Sequence, residues 1–177
     1  MAQLKRATPK ERVLGIDPGS RRLGWGVVER EGLKLRAIAA GVLKLDVDVS
    51  LELRLKEVHE ALSALCETYE IDAMAVEDIF YARFPNAAIK LAHVRGVILL
   101  VGAQQGLPVS SYPPSIVKKA IAGRGAADKV QVARLVAASL KLAKLPPADA
   151  ADALAIAMTH CARASFVAAV KSRSPAP

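Results

Sequence analysis

Two acidic residues stand at the ends of apolar runs that are typical of buried strands. Asp17 follows residues 12–16 and is followed by a Pro-Gly turn, and Glu77 follows residues 73–76 in the same way. Sites in open α/β sheets form at the carboxyl ends of the strands. Neighbouring strands lie roughly 4.8 Å apart, so carboxylates that end two adjacent strands can share one cation.

Two further acids, Asp149 and Asp152, lie three residues apart at the start of a predicted helix, which places them on one face. Nearly every neighbour from residue 148 to residue 158 is apolar, so a second acid there is costly if that face is buried. Such an acid needs a partner, and a metal ion is one. Taken singly, Asp17 is also explained as a turn residue, and Asp149 as a helix-start residue.

Converging carboxylates raise one another's pKa unless cations neutralise them. Oxygen-only ligands favour Mg²⁺, with Mn²⁺ able to substitute, over zinc. Two such ions would stand about 3.5–4 Å apart, one activating the attacking water and the other stabilising the leaving oxygen of a phosphodiester. The expected chemistry is hydrolysis without a protein nucleophile or an organic cofactor.

Composition favours one globular domain with a polyanionic partner. The chain has 177 residues, 53% of them hydrophobic, and a net charge of +8. This charge favours nucleic acid as the partner, although basic proteins also exist that bind nothing anionic. Cys66 and Cys161 are too isolated for a disulfide framework or a zinc site, and we interpret both as small buried hydrophobes. No stretch is long and apolar enough for a membrane span or a signal segment, so the expected location is the cytoplasm.

Hydrophobic periodicity predicts the elements that carry these acids. Three strands form an antiparallel meander, and helices then alternate with two more strands, which indicates an α/β fold with a mixed sheet. The predicted strands are residues 12–16, 23–28, 33–43, 73–76 and 107–111, and the predicted helices are residues 51–69, 86–105, 114–122, 128–140 and 149–170. We expect one domain over residues 12–170, with a flexible basic tail at residues 1–11 and a disordered tail at residues 171–177.

Several short segments follow one another in a distinctive order, namely GIDPGS at residues 15–20, GWGV at 24–27, AVE at 75–77, KL at 90–91, RG at 95–96, ADAADALAIA at 148–157 and THC at 159–161. Phe80, Ala82 and Arg83 continue the segment after Glu77. In this unbroken order the segments resemble the RuvC family of Holliday-junction resolvases. The likeness covers roughly residues 13–161, and the tail after Cys161 matches nothing in the family.

The resemblance implies a ribonuclease-H-like fold, with a five-stranded mixed sheet flanked by helices. It implies that Asp17, Glu77, Asp149 and Asp152 bind the metal and carry catalysis. It further implies a homodimer that makes paired symmetric nicks in four-way DNA junctions, with RuvA and RuvB as branch-migration partners. The helix at residues 86–105 offers its apolar face for the dimer interface, although that face could equally lie against the sheet.

DNA contacts are expected from residues around the acids. Phe80 falls where the family carries an aromatic that inserts at the junction, and Lys118 and Lys129 fall on family basic positions near the scissile phosphate. Tyr81 and Arg83 suit base stacking and phosphate contact beside Phe80. Basic residues cluster in the segments that flank the acids, namely Arg21, Arg22, Lys118, Lys119, Arg124 and Lys129. Each of them is also explained as an ordinary solvated charge.

Asp78 departs from the family pattern, because it directly follows Glu77. On a strand it points to the opposite face, so we do not count it as a ligand.

Other functions remain open at the level of sequence. A nuclease of RNA–DNA hybrids could share the fold, and a catalytically silent junction-binding protein could share the whole pattern. Actin-like kinases also open with an Asp-x-Gly phosphate loop, but their fold needs a second domain for which 177 residues leave no room.

Overall fold

The computed structural model describes residues 10–78, 85–123 and 127–173, with side chains described at 10–78, 88–123 and 127–163. The strands are β1 (Lys10–Asp17), β2 (Arg22–Glu31), β3 (Lys34–Lys44), β4 (Ala73–Glu77) and β5 (Val109–Tyr112). The helices are α1 (Leu51–Tyr69), α2 (Pro85–Gln104), α3 (Pro114–Ala122), α4 (Lys129–Ser139) and α5 (Ala148–Arg173). All ten predicted elements are therefore present.

The five strands form one mixed sheet in the order β3-β2-β1-β4-β5. The first three strands pair antiparallel, as predicted for the meander, and Gly32 turns the chain between β2 and β3 with a φ of 62°. β4 and β5 then run parallel to β1. This order puts the ends of β1 and β4 side by side, with Ile16 opposite Val76.

Side chains on β1 alternate between two apolar cores, one on each face of the sheet. Val13 packs among residues of α3, α4 and α5, whereas Leu14 and Ile16 pack among residues of α1 and α2. Asp17 keeps the period of Val13, so it belongs to the face covered by α5. Glu77 belongs to the same face, because it continues the period of Ala75 on β4.

The acids on the strands and the acids on α5 therefore lie on one side of the sheet.

α5 lies unusually close to β1 and β2 because glycines face it. A Cβ at Gly15 would overlap the Ala153 carbonyl oxygen and approach the Ala157 amide nitrogen to 2.8 Å. A Cβ at Gly24 would overlap the carbonyl oxygen of Asp149. The backbone of the first turn of α5 is thus held directly against the start of β2.

The apolar face of α2 that was a candidate dimer interface lies against the sheet. Val94, Ile98 and Val101 are buried in the core to which α1 also contributes. Of the two expected placements, dimer interface or packing on the sheet, the structure therefore shows packing on the sheet. Another face of α2 exposes Leu99 and Leu100, whose exposed fractions are 41% and 50%.

Several predicted boundaries differ from the structure. β1 begins at Lys10, inside the predicted tail, because it pairs with β2 as far as Glu31. α5 extends to Arg173, three residues into the predicted C-terminal tail, because the intervening sequence is rich in helix-forming residues. The predicted burial of Cys66 and Cys161 is confirmed.

Within the described parts of the chain, no helix is long and apolar enough to cross a membrane.

The close packing of α5 on β1 predicts a large effect of one methyl group. Gly15→Ala should lower the free energy of unfolding by about 2–3 kcal/mol, because the added Cβ forces β1 and α5 apart. Gly96→Ala is the matched control, since nothing lies within 4 Å of a Cβ there, and in an exposed turn of α2 it should stabilise by about 0.5–1 kcal/mol. Urea unfolding measures both changes. Equal effects of the two substitutions would show that α5 does not press on β1 at Gly15.

Candidate active site

Three elements bring the four predicted acids to one edge of the sheet. Asp17 ends β1 opposite Gly24, Glu77 ends β4 opposite Tyr112, and Asp149 and Asp152 lie in the first turns of α5. All four side chains are half-buried. The structure therefore places the strand-end acids and the helix acids along the same edge of the sheet.

The two strand-end carboxyls are unusually hard to ionise. Burial, followed by the negative charges of Glu77 and Asp152, raises the pKa of Asp17 to about 7 from its ordinary value of 3.8. Burial and the charge of Asp152 also raise the pKa of Glu77, while Lys129 and a hydrogen bond from Asp17 act in the opposite direction. A cation at this edge would favour ionisation of both acids.

The two acids of α5 are held by basic side chains. Arg22 Nε donates a hydrogen bond to Asp149 Oδ2 at 2.7 Å, and Lys129 Nζ donates to Asp152 Oδ2 at 2.9 Å. The bond to Asp152 is the main reason that the pKa of Lys129 is raised. The four acids therefore fall into three pairs: Asp17 lies beside Glu77, Asp149 pairs with Arg22, and Asp152 pairs with Lys129.

The donor set fits a hard divalent cation, because it consists only of carboxylate oxygens. In the described residues, however, no three acidic, histidine or cysteine side chains are close enough to hold one ion as they stand. The four acids therefore fit a cation in residue type and in their shared edge of the sheet, although their side chains do not converge on one point as they stand.

A cavity of about 220 Å³ opens beside the acids, between the end of β4 and helices α3 and α4. Its lining combines both charges with an apolar floor and consists of Glu77, Pro114, Val117, Lys118, Lys129, Val132 and Asp152. The structure thus places Lys118 and Lys129 next to the acids. Lys119 is exposed on α3 and does not line the cavity. A larger cavity of about 320 Å³ lies between β2, β3 and α1, but its lining is almost wholly apolar and contains no acid.

Four predicted DNA-contacting residues lie outside the described residues, namely Phe80, Tyr81, Arg83 and Arg124. They belong to segments that directly follow β4 and α3 along the chain.

Two arginines support the site from the opposite core, and sequence reasoning did not assign them this role. Arg95 of α2 donates to the Glu77 carbonyl oxygen at 3.0 Å and pairs with Asp78 at 3.3 Å. Arg54 of α1 donates to the Ser20 carbonyl oxygen in the turn after Asp17. The signal that could have found Arg95 was the single arginine of a mainly apolar helix, since a buried guanidinium needs oxygen partners. Arg54 gave no such signal, because α1 carries several other charged residues. The pairing with Arg95 also agrees with leaving Asp78 out of the ligand set.

His160 and Trp25 are half-buried and pack beside partners on other elements. His160 shares a hydrogen bond of 2.9 Å with the Tyr112 hydroxyl, and burial lowers its pKa. Trp25 packs in the α1 core beside Tyr69, with ring centroids 6.2 Å apart.

The mixed five-stranded sheet with acids at the edge between β1 and β4 defines a protein of the ribonuclease-H-like class, as expected. Comparison with known families then identifies the group within that class. The sequence profile described as Crossover junction endodeoxyribonuclease RuvC matches residues 13–160. The chain belongs to the RuvC family and is an endodeoxyribonuclease of crossover junctions. Membership of this family implies use of a divalent metal.

Known relatives agree with this assignment along most of the chain. The crossover junction endodeoxyribonuclease RuvC of Sorangium cellulosum is 50% identical over 167 residues, covering 94% of this chain and 93% of the relative. The protein of the same name from Methylorubrum extorquens is 47% identical, covering 91% and 85%. The structure of T. thermophilus RuvC in complex with a Holliday junction substrate superposes with a TM-score of 0.79 at 35% identity, covering 89% of this chain and 96% of that chain.

The raised pKa of Asp17 predicts a pH-dependent effect of removing its charge. The unfolded chain releases the Asp17 proton near pH 4 and the folded chain only near pH 7, so wild-type stability falls across this window. Asp17→Asn removes that loss. The full shift corresponds to about 4 kcal/mol, and residual solvent contact reduces it to about 1–3 kcal/mol. Urea unfolding in a metal chelator should therefore find the Asp17→Asn substitution more stabilising at pH 8 than at pH 5. The same stability difference at both pH values would contradict the raised pKa.

Proposed function

We propose that this protein resolves Holliday junctions by paired symmetric hydrolysis of the DNA backbone, with Asp17, Glu77, Asp149 and Asp152 as the metal-binding catalytic acids. The observation that carries the proposal is the meeting of four carboxylates from β1, β4 and α5 at one half-buried edge. Two Mg²⁺ ions per site, replaceable by Mn²⁺, are the cofactors that suit an all-oxygen site and phosphodiester hydrolysis. When bound, they supply an activated water and stabilise the leaving oxygen.

The protein's own side chains bind and orient the reacting strand. Lys118 and Lys129 line the cavity shared with Glu77 and Asp152, so a phosphate entering it meets both lysines and the acids. The raised pKa values of Asp17 and Glu77 reduce the negative charge that this edge presents to DNA when no cation is bound. The apolar floor of the cavity, which includes Val117 and Val132, limits competing water.

Contacts to the wider junction come from residues around this edge. Phe80 stacks on a base at the crossover and holds the strands in a cleavable arrangement, with Tyr81 and Arg83 beside it. Lys119 and Arg124 contact phosphates along the arms. The relative solved with a Holliday junction substrate supports the choice of DNA structure, because its fold matches this chain over 89% of the length.

Two symmetric incisions require two sites on one junction, so we propose a homodimer. Leu99 and Leu100 on α2 are exposed apolar residues that suit its interface. RuvA and RuvB are the proposed branch-migration partners, and the cytoplasm is the proposed location. The family assignment supports these three features.

The role of the acids is tested by removing one charge at constant size. Asp17→Asn should reduce Mg²⁺-dependent nicking of a four-way junction by at least about a thousandfold, because the strand-end ligand is removed. Junction binding should stay within about threefold of wild type. Asp128→Asn is the matched control, because an asparagine side chain can cap α4 at Gln131 as Asp128 does, and the site acids are untouched.

Nicking by the Asp17 variant at near wild-type rate would refute the ligand assignment. A wild-type protein that binds the junction but cuts nothing in Mg²⁺ would instead support the silent binding protein. Faster cleavage of an RNA–DNA hybrid than of the junction would support the alternative nuclease.

The role of the lysines is tested by the salt dependence of junction binding. Removing one phosphate contact should flatten the slope of log K against log salt by about 0.9, so Lys118→Ala with Lys129→Ala should flatten it by about 1.8. Affinity should fall alike for all junction sequences. Lys34→Ala with Lys141→Ala removes the same charge at a cavity formed by the β2–β3 hairpin and the end of α4, away from the acids. Equal slopes for the two double variants would show that Lys118 and Lys129 act only as general surface charge and make no specific phosphate contact.

A further inference from the structure

Arg22 is the first residue of β2, and its guanidinium contacts one of the proposed metal ligands. Its Nε donates to Asp149 Oδ2 at 2.7 Å. The side chains of Arg22 and Asp149 are 54% and 30% exposed, so neither is locked in the core. Arg22 keeps the period of Gly24, which faces Asp149, and this places it on the side of the sheet covered by α5.

Two positively charged groups compete for Asp149, namely the Arg22 guanidinium and the proposed metal ion. The Asp149 carboxylate is needed by the proposed metal site, yet one of its oxygens accepts a charged hydrogen bond from Arg22. Lys129 holds Asp152 in the same way. Among the described residues no three candidate ligands converge on one point, and two of the four acids are engaged in these ion pairs.

We propose that Arg22 is an internal counter-ion that holds Asp149 before metal loading and competes with the divalent cation for it. The inference rests on the proposed role of Asp149 as a metal ligand. In the metal-free protein the guanidinium supplies the positive charge that the acidic edge needs. Binding of the cation by Asp149 then weakens or breaks the contact between this carboxylate and Arg22.

Competition outweighs the opposite effect, in which Arg22 would help by orienting Asp149. An aspartate has only two side-chain torsions, and its backbone is already held by the contact at Gly24, so further orientation adds little. By contrast, a full positive charge within hydrogen-bond distance of a ligand repels a divalent ion on that ligand. Removing the charge should therefore tighten metal binding.

Arg22→Gln is the test, with Arg21→Gln as the matched control. Arg21 is an exposed neighbour that carries the same charge, so its removal changes the general field without breaking the contact with Asp149. In the DNA-free protein, titration with Mn²⁺ followed by the resonance signal of the free ion should give about tenfold tighter binding for Arg22→Gln. Arg21→Gln should tighten binding by less than about twofold. Thermal unfolding of each variant checks that the fold is retained.

A second comparison isolates the direct contact. In an Asp149→Asn background, which itself should weaken Mn²⁺ binding, Arg22→Gln should lose most of its tenfold effect, because the group under competition is gone. Equal or weaker binding by Arg22→Gln relative to Arg21→Gln overturns the inference while leaving the metal site intact. If Asp149→Asn binds Mn²⁺ as tightly as wild type, the assignment of Asp149 as a ligand fails, and the inference fails with it.

Discussion

The site depends on one packing contact, the close approach of α5 to β1 and β2. Gly15 and Gly24 leave no room for a Cβ on the face that α5 covers, so the helix backbone lies directly on the strands. This brings the first turn of α5, with its two acids, to the strand end where Asp17 stands. Larger residues at either glycine would lift the helix and separate ligands that belong to different elements. The apolar core formed by α3, α4 and α5 then holds this arrangement rigid.

The same contact creates an electrostatic problem that the surrounding residues solve. Four carboxyls at one half-buried edge repel one another, and the pKa of Asp17 rises to about 7 as a result of burial and that repulsion. Arg22 and Lys129 offset the charge of the helix acids, and the strand-end acids share a hydrogen bond. These contacts reduce the repulsion enough for the protein to fold without a cation, although a cation would neutralise the four carboxyls more fully. The buried acids therefore lower the free energy of unfolding at a place that favours cation binding.

Sequence periodicity was sufficient for the fold class and for the position of each acid, because strand ends and helix starts carry strong local signals. Asp17, Glu77, Asp149 and Asp152 were all located this way, and the pattern of the whole chain indicated the family. Hydrogen bonds and ion pairs between side chains of different elements could not be predicted, because they depend on how far each side chain reaches. The Arg22 contact with Asp149 spans 127 residues, and the bond from Arg95 joins helix α2 to the last residue of β4. Which α2 face turns inward was likewise undecided, since apolar residues occur on both.

The central claim is that a divalent metal binds between the two strand ends and the first turn of α5. Anomalous scattering from Mn²⁺ in crystals of the protein tests it most directly, because the signal locates the ion without reference to activity. We expect peaks within ligand distance, roughly 2.0–2.3 Å, of oxygens from Asp17 and from at least one of Glu77, Asp149 and Asp152. The carboxylate of Asp149 should have left Arg22 wherever it joins the ion. Mn²⁺ peaks found only elsewhere on the surface, with all four acids retaining their present partners, would contradict the account.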